Sequence, residues 1–284
     1  MVTLIQSDNI KALIVGLIIL IVALGLWESA TRVADSGSQG ELSEYEMMTG
    51  GGSETAGAGI PPPSDVIARA VQELSDPFYD NGPNDKGIGT QLAYSVARVL
   101  AGYSFAVILA VPLGFLIGMS PIFQKALNPY IQILRPISPL AWMPLALFII
   151  QDSIASAVFV IFICSVWPIL TNTAFGVAGV SQDLRNVAKT LQLSPGRTAF
   201  SVILPAAAPT ILTGMRIAIG ISWLVIVAAE MLVGGTGIGY YVWNEWNNLD
   251  LTSVIFSILM IGLVGMVLDT ILASATRAAS YKGA

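Results

Sequence analysis

Few residues in this 284-residue chain can do chemistry, and those few stand in or beside long apolar runs. Histidine is absent altogether, which removes the commonest general base, the commonest metal ligand and the usual switch near neutral pH. The single cysteine, Cys164, sits inside an apolar run and reads as packing. Arg135, Arg216 and Glu230 are ionisable groups within or at the ends of apolar runs, and such groups are functional candidates by default when the surroundings are lipid. Asn172 and Thr173 add polar groups to another run, and Trp142 and Met143 lie between Pro139 and Pro144, where proline interrupts regular helix and frees backbone groups. Gly234-Gly235-Thr236-Gly237-Ile238-Gly239 superficially resembles a nucleotide loop. No Gly-Lys-Ser/Thr completes a phosphate loop anywhere in the chain, so ATP hydrolysis is not expected here. The glycine run reads instead as a turn or a close approach of helices.

The elements that must position these residues can be read from composition. The chain is 55% hydrophobic and 11% charged, against about 25% charged in a soluble domain. So little charge cannot cover a water-facing surface, and lipid must cover the remainder. Runs of about 20 apolar residues are long enough to cross a bilayer. Six candidates occur, at residues 10–27, 99–119, 136–150, 153–180, 208–233 and 251–268. The expectation is an all-α membrane protein with about six transmembrane helices. The first run exceeds the usual signal-peptide core and no small-x-small site comes directly after it, so it reads as an uncleaved anchor over residues 1–28. Lys125, Arg135, Arg185, Lys189, Arg197, Arg216, Arg277 and Lys282 fall on one side of the spans. Cytoplasmic loops carry such an excess, so both termini are expected in the cytoplasm. The net charge of −5 argues against nucleic acid, which requires a basic face.

Two segments outside the spans are informative. The outer segment, residues 29–90, begins with a Gly-, Ser- and Glu-rich stretch at 35–59 that reads as mobile. Pro61-Pro62-Pro63 then stiffens the chain. Ser64 is expected to cap a short helix with Asp65 in its first turn. Val66, Ile67, Ala70, Val71 and Leu74 repeat at helical spacing, giving a helix that rests on the bilayer or neighbouring spans, or meets an external partner. Residues 76–89 read as a loop. On the other side, residues 181–204 carry Leu184, Val187, Ala188 and Leu191 at i, i+3, i+4 and i+7. Ser194-Pro195-Gly196 breaks this helix, with Ser194 as N-cap and Pro195 in the first turn of the next. A short amphipathic helix of this kind can fill a groove on a soluble partner or lie on the bilayer. Arg185, Lys189 and Arg197 are expected to keep the rest of the loop in water.

This loop resembles the cytoplasmic loop of binding-protein-dependent ABC importer permeases. That family's pattern runs Glu-Ala-Ala, three residues, Gly, nine residues, Ile-x-Leu-Pro. Here Asn186-Val187-Ala188, Gln192 and Val202-Ile203-Leu204-Pro205 occupy those places. The spacing and the Leu-Pro ending match, while Asn186 and Gln192 replace the Glu and the Gly. Pro61-Pro62-Pro63-Ser64, the run from Ser95-Val96-Ala97-Arg98 to Tyr103, the run from Arg135-Pro136-Ile137 to Pro144, and Ala229-Glu230-Met231-Leu232 look like the nitrate/sulfonate/taurine/bicarbonate branch. Residues 76–87 look like the cyanobacterial nitrate and bicarbonate permeases within it.

The resemblance implies a type I ABC importer permease fold with a cytoplasmic coupling helix, in a bacterial plasma (inner) membrane. A five-helix core at residues 91–284 would include the coupling loop 181–204. The implied partners are a second copy of the chain, two cytoplasmic ATPase subunits holding ATP and Mg, an external solute-binding protein and membrane lipid. No cofactor is implied in this chain. Coupling to the ATPase would rest on Leu184, Asn186, Val187, Ala188, Leu191, Gln192 and Pro205. The implied cargo is a small inorganic oxyanion, nitrate or nitrite first and bicarbonate second. Such an anion needs donors along its path but no deep trap, which makes Arg135, Trp142, Met143, Asn172, Arg216 and Glu230 the pathway candidates. The two arginines sit where long side chains also snorkel to water, and Glu230 would repel an anion unless paired. Ten acids against three bases between Ala30 and Gly89 offer a surface for a basic rim on the receptor. A gradient-driven secondary transporter is the rival reading from another class. It is weakened by the scarcity of charge at mid-membrane and by the absence of internal repeats. A non-transporting membrane scaffold is a third.

Overall fold

A computed structural model describes the backbone of residues 2–37, 60–82 and 85–281. The stretch expected to be mobile at 35–59 lies largely outside the described residues. Eleven helices succeed one another among them: α1 (Val2–Gly37), α2 (Pro63–Ser75), α3 (Ile88–Met119), α4 (Pro121–Leu134), α5 (Pro139–Ile150), α6 (Ser153–Ala178), α7 (Gln182–Thr190), α8 (Pro195–Thr198), α9 (Leu204–Val233), α10 (Ile238–Asn247) and α11 (Leu251–Tyr281). A single wide π-helical turn, Ala199–Ile203, joins α8 to α9. Pro205 has no N–H to donate one turn back, and the backbone widens just before it. Two compact units emerge, residues 1–75 with 245–256, and residues 76–244 with 257–284.

Five helical stretches are long and apolar enough to cross a membrane: Lys11–Arg32, Ile88–Met119, Ser153–Ala178, Pro195–Val233 and Leu251–Arg277. The third span expected at residues 136–150 takes a different form. α5 has only 12 residues, about 18 Å of helix, too short to cross the hydrocarbon alone. It is preceded by α4 at a 91° bend, and the pair makes a sixth span only if counted together. Pro139 explains the break: Ser138 before it is pushed out of helical geometry, with φ of −59° and ψ of 135°. The second span also begins earlier than expected, at Ile88 instead of residue 99. Its first turns carry Gln91, Ser95 and Arg98, all buried, and hydropathy does not count a polar residue that is buried with a partner.

The second unit is organised around α6, the most buried of the candidate spans. Small residues let neighbouring backbones approach it, as membrane helix packing requires. A Cβ on Gly102 would meet the Val158 carbonyl at 2.7 Å, one on Gly114 the Leu170 carbonyl at 2.7 Å, and one on Gly118 the Ala174 carbonyl at 2.6 Å. These contacts set α3 against α6. α9 closes on the other side, where Gly214 faces Asn172 and Gly176 faces Thr210. Val177, Val180, Ile203, Ala207 and Ile211 form the apolar cluster at the end of this packing nearest α7.

In the first unit, none of the apolar window within Lys11–Arg32 of α1 is buried within the protein. α2 begins at Pro63, so Ser64 lies inside the helix rather than at its cap. The Ser64 N–H and hydroxyl donate to the Glu28 carboxylate of α1 at 3.2 and 3.1 Å. A carboxylate borrowed from another helix thus does the capping expected of the Ser64 side chain. The apolar face of α2 is also only partly inward: Val66 is buried, whereas Ile67, Val71 and Leu74 are exposed.

Candidate functional site

Two constellations in the second unit collect most of the singled-out residues. The first is the glycine-rich end of α9. Gly234 and Gly235 both adopt positive φ, 77° and 89°, a backbone that glycine reaches without strain. They turn the chain so that α10 starts directly against the helix it has just left. A Cβ on Gly237 would fall on the Glu230 carboxylate, and one on Gly239 on the Val227 carbonyl. The run that looks like a nucleotide loop is therefore a close approach of two helices.

The opening N–H groups at the start of α10 have no intrahelical acceptors, and side chains supply them. The Gly237 N–H donates to Gln91 Oε1 at 2.6 Å, the Ile238 N–H to Ser95 Oγ at 2.9 Å, and the Gly239 N–H to Glu230 Oε2 at 3.0 Å. Ser95 Oγ lies 2.9 and 2.8 Å from the two Glu230 oxygens. Arg98 Nη1 donates to Glu230 Oε1 at 2.6 Å and to the Thr236 carbonyl at 2.7 Å. Its guanidinium also stands 5.9 Å from the Tyr94 ring centre. Glu230 is 2% exposed, so an unpaired charge there would be severely penalised. Paired with Arg98 and set at a helix N-terminus, the carboxylate meets both a cation and the positive end of a helix dipole. A cavity of about 460 Å³ adjoins the cluster, lined in part by Tyr94, Arg98, Asp152 and Thr236. The cluster holds one full positive and one full negative charge in contact, so it braces helices and presents no bare charge to a passing ion.

Gln91, Ser95 and Arg98 are not among the candidates drawn from sequence. Their signal is present, as i, i+4 and i+7 place all three on one face of a helix, but hydropathy leaves the segment outside the span. The remaining pathway candidates are dispersed. Arg216 makes a two-pronged ion pair with Asp269, both bonds 2.6 Å, joining α9 to α11. Arg135 lies exposed in the break between α4 and α5, Trp142 is half-buried and Met143 is 1% exposed. The Asn172 amide donates to the Pro168 carbonyl of its own helix at 2.8 Å, answering a carbonyl near the proline.

The second constellation is the loop helix α7. Ser181 accepts the Leu184 N–H at its start. Ser194 accepts the Arg197 N–H at 3.4 Å, with Pro195 leading α8 as expected. Ala188 is buried at 1% exposure, while Leu184, Val187 and Leu191 are exposed at 43%, 55% and 64%. Arg185 does not simply face water: its Nη2 and Nε donate to the Val177 and Val180 carbonyls at 2.7 and 3.4 Å, capping the end of α6. Gln192, standing at the family's glycine position, has φ of 50°. That is a left-handed conformation which glycine adopts without strain, so the replaced Gly had a backbone reason. Asn186 is exposed on the same helix and Pro205 on α9.

The chain is a multi-span helical bundle with an exposed apolar loop helix. Residues 110–280 match the family described as the binding-protein-dependent transport system inner membrane component, and the chain belongs to that family. It is the non-catalytic membrane component of an ABC importer, whose ATPase is a separate subunit. Over 217 residues it is 46% identical to the nitrate import permease protein NrtB of Synechocystis sp., a match covering 76% of this chain and 79% of that one. Over 213 residues it is also 46% identical to the bicarbonate transport system permease protein CmpB of the same organism, covering 74% and 76%. The fold is similar to that of the MetNI methionine ABC transporter in an inward-facing conformation. That likeness has a TM-score of 0.59 at 15% identity, and covers 66% of this chain and 93% of the other.

Proposed function

We propose that this chain is the pore-forming subunit of an ATP-driven importer of a small inorganic oxyanion, nitrate or nitrite. The observation that carries the coupling part is the exposed apolar stripe Leu184–Val187–Leu191 on α7, beside the buried Ala188. Apolar side chains on a loop helix lower their free energy by entering a groove. The coupling set is Leu184, Asn186, Val187, Ala188, Leu191, Gln192 and Pro205, and the groove belongs to a cytoplasmic ATPase subunit. Two such subunits bind ATP and Mg, two copies of this chain form the pore, and an external solute-binding protein delivers the anion. Both termini of the chain lie in the cytoplasm, as its Lys and Arg bias supports. Closure of the ATPase pair on ATP draws the two loop helices together and opens the pore outward, and hydrolysis resets it. ATP acts by stabilising one of two states at a distance from the pore.

Within the membrane, Arg216 and Glu230 are assigned to bracing, through Asp269 and Arg98. Arg135, Trp142, Met143 and Asn172 remain the proposed contacts with the anion. Nitrate is the first reading, and a 46% identical nitrate permease relative supports it. Bicarbonate is the second reading, favoured by the equally identical CmpB. Uptake of labelled nitrate and labelled bicarbonate by a strain lacking this chain tests the assignment. Loss of nitrate flux is the expected result; loss of bicarbonate flux alone overturns it. Uptake that survives ATP depletion while an ion gradient persists overturns the ATP-driven reading as a whole.

A further inference from the structure

The first unit contains a feature that transport coupling does not use. α2 has three distinct faces. At ~100° per residue, Val66 and Glu73 fall on one side, and both are buried, with Arg69 at its edge. Ile67, Val71 and Leu74 form a second, apolar and exposed at 59%, 66% and 50%. Ala68, Gln72 and Ser75 form a third, of small or polar side chains, all exposed. A helix on a water-soluble surface needs two faces, one for protein and one for water. A third face of aliphatic side chains requires a third medium.

The level at which α2 lies is set by its two ties. At its start, the Ser64 N–H and hydroxyl are held by Glu28, near the end of the Lys11–Arg32 apolar stretch. Farther along, Arg69 bonds Glu73 at 3.0 Å and reaches Asp250 at 3.9 Å. Asp250 immediately precedes α11, and its carboxylate accepts the Ser253 N–H and hydroxyl at 3.1 and 2.7 Å, capping that span. Both ties therefore sit at the ends of membrane spans. A helix fixed to two span ends runs along the plane where hydrocarbon gives way to water. Beside Asp250, Trp246 is 53% exposed and Leu249 is 75% exposed with a left-handed φ of 60°. Indole side chains are enriched at this level of a bilayer. A leucine held in a strained conformation and pointed away from protein is accounted for by lipid contact, not by packing.

We propose that α2, with Trp246 and Leu249, is an interfacial float: Ile67, Val71 and Leu74 enter the lipid at the headgroup boundary, and Gln72 and Ala68 face water. The occupant of the apolar face is the bilayer itself. The test uses the full chain assembled with its partners in lipid nanodiscs. Spin labels are placed at Ile67→Cys, Val71→Cys, Leu74→Cys, Ala68→Cys and Gln72→Cys, one at a time, with Cys164→Ser. The first three should collide with oxygen more than with a water-soluble nickel chelate, at a depth of about 5–10 Å, and the last two should show the reverse. Nickel access at all five positions overturns the proposal, as does shielding of the first three from both reagents, which would mean that a protein covers the face. Lipids brominated near the headgroup end of the acyl chains give a second measurement without replacing Cys164. They should quench a fraction of the tryptophan emission that disappears in Trp246→Phe. Equal quenching in both proteins overturns the assignment of Trp246 to the lipid boundary.

Discussion

The glycine-rich end of α9 and the loop helix α7 solve opposite problems. At the first, polar groups are buried, and Gln91, Ser95, Arg98 and Glu230 find their partners within the chain. At the second, apolar groups are exposed, and nothing among the described residues covers Leu184, Val187 and Leu191. Buried polarity with internal partners is a closed arrangement that fixes how α3, α9 and α10 meet. Exposed apolarity on a loop is an open one, complete only when something else covers it. The difference separates a part of the molecule that is complete in itself from a part that offers a surface.

Mutations can break this contrast in order of expected size. Arg98→Leu leaves the Glu230 carboxylate buried without its cation, a change that costs about 3–5 kcal/mol. Thermal unfolding in nanodiscs should show it, and Arg98→Leu combined with Glu230→Leu should be less destabilised than either single change. Strict additivity would mean that the pair is not coupled. Val187→Asp with Leu191→Asp should leave unfolding within about 0.5 kcal/mol, since both positions are exposed. The same change should release the ATPase subunits, at about 1–3 kcal/mol of lost binding per site. Intact co-purification with normal coupled hydrolysis would close the arrangement described as open. Gln192→Gly should raise stability by about 1 kcal/mol by relieving a left-handed glutamine. An unchanged unfolding midpoint would show that the loop relaxes there without help.

The smallest effect concerns the loop before α3, where Lys86 Nζ lies 3.1 Å from Asp80. The hydrogen bond from Lys86, then that from the Gly82 N–H, holds the Asp80 carboxyl below its ordinary value of 3.8. A carboxyl lowered on folding contributes stability that is present above its unfolded pKa and is lost as pH falls through the folded one. The pair is exposed and screened, so Asp80→Asn should flatten the acid limb of the stability profile slightly below about pH 4 and leave neutral pH unchanged.

Much of this architecture is legible in the sequence because lipid imposes length. The runs at residues 153–180 and 208–233 lie on long helices with boundaries off by a few residues, and the run at 251–268 lies on a helix that continues to Tyr281. The loop helix and the Ser194 cap are legible because caps and helical spacing are local, whereas the Ser181 cap emerges only in the structure. The α4–α5 pair is not, since proline breaks inside an apolar stretch disguise two helices meeting at 91° as one short span. Nor is the beginning of α3, because the partners of Gln91, Ser95 and Arg98 lie about 130–150 residues away and no local pattern announces them. The pairing of Glu230 is legible in kind, with an arginine or with backbone N–H groups. The identity of that arginine is not: Arg98 stands in a run that carries the family resemblance, yet nothing near it in sequence points to a carboxylate.

The grip of Arg185 on the Val177 and Val180 carbonyls has a mechanical consequence. A helix tied to its protein only by flexible loop would absorb a push as slack. α7 is instead bonded to the last turn of α6 and seated through Ala188, so little compliance separates the two. Any stroke applied to α7 is delivered to α6 and passes from there, across the glycine contacts, to α3 and α9. In the proposed coupling, the loop helix is a crank on the most deeply buried shaft of the bundle.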